Sequence, residues 1–233
     1  MNWPIQSSRR ILLLVLGACL LLGPAPATSI PPQAPAAQGA QVQPRKTSKP
    51  YTGDLSIFEY KDRDQKLQVA RVMDILGIDP GKTVADIGAG SGWFSVRAAR
   101  RVTPNGLVYA VDINPEAIQY IQERMQREGI GNVRVIRSKP DDPLLPAESI
   151  DAVLLLKTYH EVAEPVTLLK NLRRALRPKA RVGIIDRNGN GEDHGVGRNV
   201  VVREAAQAGY ALVGEHDFVK SDGEDYFLVF EPR

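Results

Sequence analysis

Apolar residues follow two spacings in turn from about residue 62 to the end of the chain. Short, mostly apolar stretches such as residues 83–87 are typical of buried strands, whereas apolar side chains three or four positions apart, as in residues 115–128, indicate amphipathic helices. The predicted strands cover residues 83–87, 107–111, 132–136, 150–156, 181–185, 210–218 and 226–231. The predicted helices cover residues 62–76, 93–101, 115–128, 165–176 and 200–208.

Regular alternation of strands and helices predicts a mostly parallel sheet with helices on both faces. We therefore expect an α/β fold of the Rossmann-like, doubly wound type, with a seven-stranded sheet whose last strand is antiparallel. Ligands in such sheets bind beyond the carboxyl ends of the strands, near the point where the strand order reverses. The candidate site is thus predicted near residues 86–92 and 112.

The first 27 residues have the pattern of a secretory signal peptide. Arg9 and Arg10 precede an apolar run over residues 11–22, and Ala25-Pro26-Ala27 provides a small-residue cleavage site. The run is shorter than the roughly 20 apolar residues of a spanning helix. We predict an exported, periplasmic protein; the Arg pair leaves a twin-arginine signal open, and Cys19 leaves a lipid anchor as a weaker alternative.

Residues 28–50 are rich in Pro, Ala and Gln, and predict a disordered spacer before a domain at residues 51–233. Loss of the leader removes two arginines, which lowers the formal net charge from +3 to +1. The weak, scattered charge does not indicate a nucleic-acid partner. Cys19 is the only cysteine, so a disulfide framework and a cysteine-based zinc site are excluded.

The central motif is a glycine-rich loop after the first predicted strand, with Gly88, Gly90 and Gly92 at alternate positions. Glycines there allow a tight turn and a close approach of the backbone to a ligand. The loop matches neither the dinucleotide pattern G-x-G-x-x-G nor a Walker A loop. The spacing therefore argues against an NAD-dependent oxidoreductase.

Two acids accompany this loop. Asp86 precedes Gly88 and would repel a pyrophosphate, but it can attract a cationic amine. Asp112 ends the second predicted strand, where a carboxylate can accept hydrogen bonds from two ribose hydroxyls. A ribose-bearing ligand with a cationic amino-acid end suits both positions, and S-adenosylmethionine is such a ligand.

These residues resemble the class I S-adenosylmethionine-dependent methyltransferases. The first family motif is similar to residues 84–92, the ribose acid to Asp112, and the stretch after the fourth strand to Tyr159-His160-Glu161. The similarity is nearest to small bacterial methyltransferases with a Tyr-His-Glu motif. The resemblance implies methyl transfer from S-adenosylmethionine to a small-molecule acceptor, with an oxygen acceptor favoured over nitrogen.

The chain departs from the family pattern at two informative positions. Lys139 stands where an acid often binds the adenine amino group, so the nearby Asp141 is our candidate for that role. Lys157 stands where an acid is common, which argues against a metal-dependent catechol-type enzyme. These departures and the predicted export leave a non-catalytic S-adenosylmethionine-binding protein as the alternative.

The acceptor side of the site offers one candidate catalytic residue. His160 follows the fourth strand, where a neutral imidazole could take a proton from the acceptor; a structural histidine is the competing interpretation. The run Glu192-Asp193-His194 has no partner at metal-ligand spacing, so we predict no metal ligands. The sequence leaves the acceptor and the oligomeric state undetermined.

Overall fold

The computed structural model describes residues 45–233. The predicted signal peptide, Cys19 and most of the predicted spacer lie outside these residues and stay predictions. Within residues 45–233, no helix combines the length and the apolar character needed to cross a membrane.

The described chain alternates strands and helices as predicted. The strands are β1 Thr83–Ile87, β2 Leu107–Asp112, β3 Val133–Arg137, β4 Ile150–Leu156, β5 Leu176–Asp186, β6 Tyr210–His216 and β7 Tyr226–Pro232. The α-helices are α1 Arg63–Leu67, α2 Val69–Leu76, α3 Trp93–Arg101, α4 Pro115–Arg127, α5 Pro165–Arg173 and α6 Arg198–Gln207. Three short 3-10 helices cover Leu55–Glu59, Tyr159–Glu161 and Phe218–Asp222.

The seven strands form one sheet in the order β3-β2-β1-β4-β5-β7-β6. Strands β1 to β5 pair in parallel, and β7 runs antiparallel to both β5 and β6. This arrangement confirms the predicted fold class. The order reverses between β1 and β4, so the carboxyl ends of these two strands flank the expected ligand crevice.

Alternation along the strands divides the core between the two faces of the sheet. On β1, Val84 packs with α2 and α3, whereas Ala85 belongs to the cluster that contains α5 and α6. Strand β4 is buried along nearly its whole length, because helices cover both of its faces. The sheet therefore gives a rigid support to the loops at its carboxyl edge.

The helix predicted over residues 62–76 is broken at Gln68, which has a left-handed backbone with φ of 52°. Leu67 and Val69 are both buried, although a continuous helix would point them in nearly opposite directions. The side chain of Gln68 also donates to the carbonyl of Phe218 at 3.2 Å. Tertiary packing therefore outweighs the helical pattern at this position.

Two further boundaries differ from the sequence prediction. Helix α5 ends at Arg173, and Leu176, predicted as its last inward residue, instead begins β5 and pairs with Ile150. The strand predicted over residues 210–218 ends at His216, because Phe218–Asp222 forms a 3-10 helix. Helical spacing and strand burial cannot be separated in such short apolar runs.

The last residues of the predicted spacer, from residue 45 onward, pack against the domain. Arg45 donates from Nη2 to the carbonyls of Tyr159 and Val162, at 2.5 and 2.9 Å, and pairs through Nη1 with Glu204 at 3.1 Å. Ser48 is buried and donates to the carbonyl of Gly191 at 2.8 Å. These polar contacts, which composition does not reveal, order the segment.

Arg45→Met is expected to lower the free energy of unfolding by about 2 to 3 kcal/mol, because a buried carboxylate loses its cationic partner and two carbonyls each lose a donor. The side chains of Arg45 and Glu204 are only 13% and 11% exposed. The matched control is Lys46→Met, since Lys46 pairs with Glu192 where both are exposed, at 73% and 57%. Lys46→Met should change the free energy of unfolding by less than about 0.5 kcal/mol. Urea denaturation measures both changes, and equal losses for Arg45→Met and Lys46→Met would contradict the stabilising role of Arg45.

Candidate functional site

The glycine loop lies at the carboxyl end of β1, where it connects to α3. Gly88, Gly90 and Gly92 all have left-handed backbones, with φ of 72°, 54° and 71°. The N–H groups of Gly88 and Ala89 donate to the carbonyl of Val111 at 2.8 and 3.0 Å, which ties the loop to β2. The loop is thus held in one conformation beside the crevice between β1 and β4.

Glycine is required at position 88 by a close contact as well as by the left-handed backbone. A Cβ on this residue would lie 2.2 Å from Cγ2 and 2.4 Å from Oγ1 of Thr158, which follows β4. Thr158 Oγ1 in turn donates to the carbonyls of Gly88 and Leu156, at 3.3 and 3.1 Å. The absence of a side chain at Gly88 therefore lets the two loops meet across the crevice.

Asp86 lies at the end of β1 and is only 2% exposed. Its Oδ2 accepts a hydrogen bond from Ser95 Oγ at 2.6 Å. Burial raises the pKa of Asp86 to about 7, although the Ser95 bond and the charge of Arg63 act in the opposite direction. Ser95 and Arg63 offset only part of the cost of burying this charge, so the carboxylate is well suited to bind a cationic ligand group.

Asp112 ends β2 and holds the glycine loop through its side chain. Its Oδ2 accepts from the N–H of Gly90 and its Oδ1 from the N–H of Asn114, both at 2.9 Å. Burial raises the pKa of Asp112, and these backbone donors oppose the shift. Each carboxylate oxygen keeps a further lone pair for a ligand hydroxyl.

The structure brings five of the six predicted cofactor residues together: Asp86, Gly88, Gly90, Gly92 and Asp112. Asp141 lies in the loop after β3, and its described contact is made by its carbonyl, which accepts from Asn171 at 2.7 Å. Lys139, at the position where an acid was expected, is exposed, and its backbone N–H donates to the carbonyl of Asp142 at 3.0 Å. The proposed adenine role of Asp141 stays a prediction.

A segment ahead of β1 covers the loop. Phe58, in the first 3-10 helix, is the side chain nearest to a Cβ placed on Gly90, at 3.9 Å. Glu59 accepts from Tyr120 at 2.9 Å and pairs with Arg124 at 2.8 Å, both on α4. The segment is thus fixed to the helix that follows β2.

A cluster of buried charges that the sequence did not predict lies beside the end of β4. Lys157 pairs with Glu224 at 2.8 Å and lies 3.8 Å from Asp222 Oδ2. Arg63 lies 3.8 Å from the same oxygen and stacks on the ring of Trp93, and Tyr60 donates to the other oxygen of Asp222. Lys157 is therefore neutralised by acids just before β7, and sequence patterns give no signal for such a long-range pairing.

His160 lies at the end of β4 and is buried against the end of β5. Its Nδ1 lies 2.9 and 3.0 Å from the two carboxylate oxygens of Asp186, and its backbone N–H donates to Oδ2 at 3.0 Å. A carboxylate can only accept, so in the neutral imidazole the proton is on Nδ1 and Nε2 keeps its lone pair. Nε2 lies 3.9 Å from Glu161 Oε1.

Glu161 and His194 stand next to this lone pair. Burial raises the pKa of Glu161 to about 7. The rings of His160 and His194 meet edge to face with centroids 5.7 Å apart. His194 was not expected here, because it follows Glu161 by a long stretch of chain that includes α5 and β5.

Comparison with known proteins agrees with this geometry. A family described as a methyltransferase domain matches residues 78–208, which is more than half of the chain. The chain therefore belongs to this family, and the predicted class, the class I S-adenosylmethionine-dependent methyltransferases, is confirmed.

Three known proteins illustrate the relationship. The chain is 30% identical to a protein-L-isoaspartate O-methyltransferase of Pyrococcus horikoshii, over 42% of this chain and 44% of that protein. It is 26% identical to a ubiquinone/menaquinone biosynthesis C-methyltransferase of Pasteurella multocida, over 49% of this chain and 43% of that protein. The crystal structure of a SAM-dependent methyltransferase from Aquifex aeolicus superposes with a TM-score of 0.69 at 24% identity, over 77% of this chain and 98% of that one. The chain thus spans less than half the length of the two curated relatives.

Proposed function

We propose that the protein transfers a methyl group from S-adenosylmethionine to a small-molecule acceptor. The observation that carries this proposal is the buried carboxylate of Asp86 beside the glycine loop, with Asp112 on the neighbouring strand. Membership of the methyltransferase family supports the same reaction.

In this proposal the donor lies along the carboxyl ends of β1 and β2. Asp86 binds the α-ammonium group directly or through water, Gly88, Gly90 and Gly92 leave room for the chain, and Asp112 accepts from the ribose hydroxyls. The sulfonium already activates the methyl group, so the protein acts mainly by alignment and exclusion of water. Asp141 remains the candidate for the adenine amino group.

The reaction requires an acceptor lone pair in line with the methyl–sulfur bond. A lone pair on the acceptor oxygen forms the new bond to the methyl carbon while the carbon–sulfur bond breaks and its electron pair stays on sulfur. S-adenosylhomocysteine leaves as a neutral thioether, and the acceptor releases its proton. The family resemblance favours an oxygen acceptor, and polar groups able to take up the proton of a hydroxyl lie at the end of β4.

His160 is the acceptor-side residue of this proposal. Its Nε2 lone pair can act on a hydroxyl in two ways: it can accept the proton directly, or it can help to bind a cation that polarises the acceptor oxygen. The two roles differ in their dependence on metal.

Asp112→Asn is expected to weaken S-adenosylmethionine binding about tenfold, because it removes the charge that strengthens hydrogen bonds to the ribose. Isothermal titration of the full chain measures this. The matched control is Asp151→Asn at the opposite end of the sheet, where the carboxylate accepts from the N–H of Thr83 and pairs with Arg177. Donor affinity should be unchanged there, and an equal loss in both variants would contradict the proposed ribose contact.

Turnover separates the enzyme from the alternative of a binding protein. The wild-type chain is expected to form S-adenosylhomocysteine with at least one member of a panel of hydroxyl- and amine-bearing acceptors. Tight donor binding with no product across the panel would favour the non-catalytic alternative. A chain that binds neither the donor nor S-adenosylhomocysteine would exclude both.

A further inference from the structure

Three potential metal ligands from distant parts of the chain converge beside the acceptor side of the crevice. His160, Glu161 and His194 each offer one ligand atom, and these atoms all lie within 4.8 Å of one another. His160 and Glu161 follow β4, whereas His194 lies in the loop between β5 and α6. The fold, and not sequence spacing, therefore creates the cluster.

The imidazole of His160 is oriented as metal-bound histidines usually are. The buried carboxylate of Asp186 accepts from Nδ1 at 2.9 Å, which fixes the ring and directs the Nε2 lone pair away from β5. A carboxylate behind a ligating histidine sets the tautomer and raises the basicity of the ligand nitrogen. The supporting carboxylate of such a site is thus already in place.

The loop that carries His194 is fixed by two contacts to its backbone. The N–H of His194 donates to the buried Ser48 Oγ at 2.8 Å, and its carbonyl accepts from Arg187 Nε at 2.8 Å. Ser48 also donates to the carbonyl of Gly191 at 2.8 Å. The segment before the domain therefore holds the third ligand next to the other two.

The spacing of the ligand atoms is slightly wider than a bound ion requires. His160 Nε2 and Glu161 Oε1 are 3.9 Å apart. Zinc binds nitrogen and carboxylate oxygen at about 2.0 to 2.2 Å, which places neighbouring ligand atoms roughly 3.3 to 3.5 Å apart in a tetrahedron. Side-chain rotations of Glu161 and the exposed His194 are sufficient to close this difference while His160 stays fixed.

We infer that His160, Glu161 and His194 form a binding site for a divalent transition-metal ion, with Zn²⁺ as the preferred probe. Two imidazoles and one carboxylate suit zinc or ferrous iron, whereas Mg²⁺ prefers oxygen ligands. Three protein ligands leave coordination positions open. The role of the ion rests on the proposed function: it would polarise the acceptor hydroxyl on the side away from the donor. This inference replaces the sequence prediction of no metal ligands.

The test is zinc titration of the full chain after treatment with a chelator, using protein without a polyhistidine tag. We expect one equivalent of Zn²⁺ to bind, with no comparable binding of Mg²⁺. His160→Asn, Glu161→Gln and His194→Ala should each weaken zinc binding about 100-fold, and Asp186→Asn about tenfold. Thermal unfolding of each variant identifies any that fail to fold, and the exposed His194→Ala is the variant least affected by that problem.

The matched control is His216→Ala. His216 is the third histidine of the chain and packs against Phe218 and Phe227 at the end of β6. Its removal should leave zinc affinity unchanged. Binding that is substoichiometric, lost with His216, or unchanged by His194→Ala would overturn the inference.

Donor binding is measured on the same samples with and without zinc. A chain that binds the donor but not zinc overturns the metal site alone and leaves His160 to act as a direct proton acceptor. A chain that binds zinc but not the donor overturns the proposed function and leaves the site in place.

Discussion

Gly88→Ala is expected to lower the free energy of unfolding by about 3 to 5 kcal/mol, because it combines backbone strain with overpacking. The residue has φ of 72°, and its new Cβ would lie 2.2 Å from Thr158 Cγ2. Thr158 is held by hydrogen bonds to both loops and cannot turn away freely. Denaturant unfolding measures the loss.

Substitutions at two other glycines separate the contribution of backbone strain from that of overpacking. Gly129 has φ of 66° with nothing within 4 Å of a Cβ, so Gly129→Ala measures backbone strain alone, at about 1 kcal/mol. Gly90→Ala should have a similarly small effect on stability, since its nearest neighbour is Phe58 at 3.9 Å. It should nevertheless weaken donor binding about tenfold or more, because its Cβ enters the space between the loop and Phe58.

Thr158→Ala provides the internal check on the proposed clash. It removes two of the three atoms nearest to the new Cβ, so Gly88→Ala combined with Thr158→Ala should be less destabilised than the two single effects added together. If the losses of the two single variants simply add in the double variant, Gly88→Ala does not act through a clash with Thr158. Equal losses for Gly88→Ala and Gly129→Ala would show that the backbone alone is responsible.

Asp86→Asn is expected to weaken S-adenosylmethionine binding about 100-fold, because it removes the buried charge that we propose binds the donor's cationic end. The wild-type protein should also bind the donor about tenfold more tightly at pH 8 than at pH 6, since the pKa of Asp86 is raised to about 7 and binding requires the ionised form. The variant should lack the part of this pH dependence that comes from Asp86. Titration at several pH values measures both effects.

The same substitution is expected to stabilise the ligand-free protein. A carboxyl whose pKa is raised on folding favours the folded state fully only below its ordinary pKa of 3.8, and this contribution is lost as the pH rises toward 7. Asp86→Asn should therefore match the wild type near pH 4 and exceed it at pH 8, by about 2 to 4 kcal/mol. A gain that is the same at both pH values, or a loss at pH 8, would contradict the raised pKa.

Local patterns were sufficient for much of the fold. The bounds of β1, α3 and β4 agree with the sequence prediction, because each is a buried or amphipathic run enclosed by glycine or polar residues. The glycine loop was also predictable, since close backbone approach restricts those positions to glycine. The carboxyl-edge rule for parallel sheets then predicts that Asp86 and Asp112 lie near each other.

Long-range polar contacts decided the remainder. Three contacts join residues far apart along the chain: Gln68 with Phe218 at the helix break, Arg45 with Glu204, and Lys157 with Glu224. Periodicity reports which face of an element is apolar, but not which charge on another element lies opposite to it.

The sequence by itself therefore determined the class of fold, the methyl-donor motif and the edge of the sheet where they meet. Only the tertiary structure decided what surrounds that edge, including the position of His194 beside His160 and Glu161. The physical reason is that backbone and hydrophobic preferences act over a few neighbouring residues, whereas buried charges and metal-ligating groups find their partners only when the chain has folded.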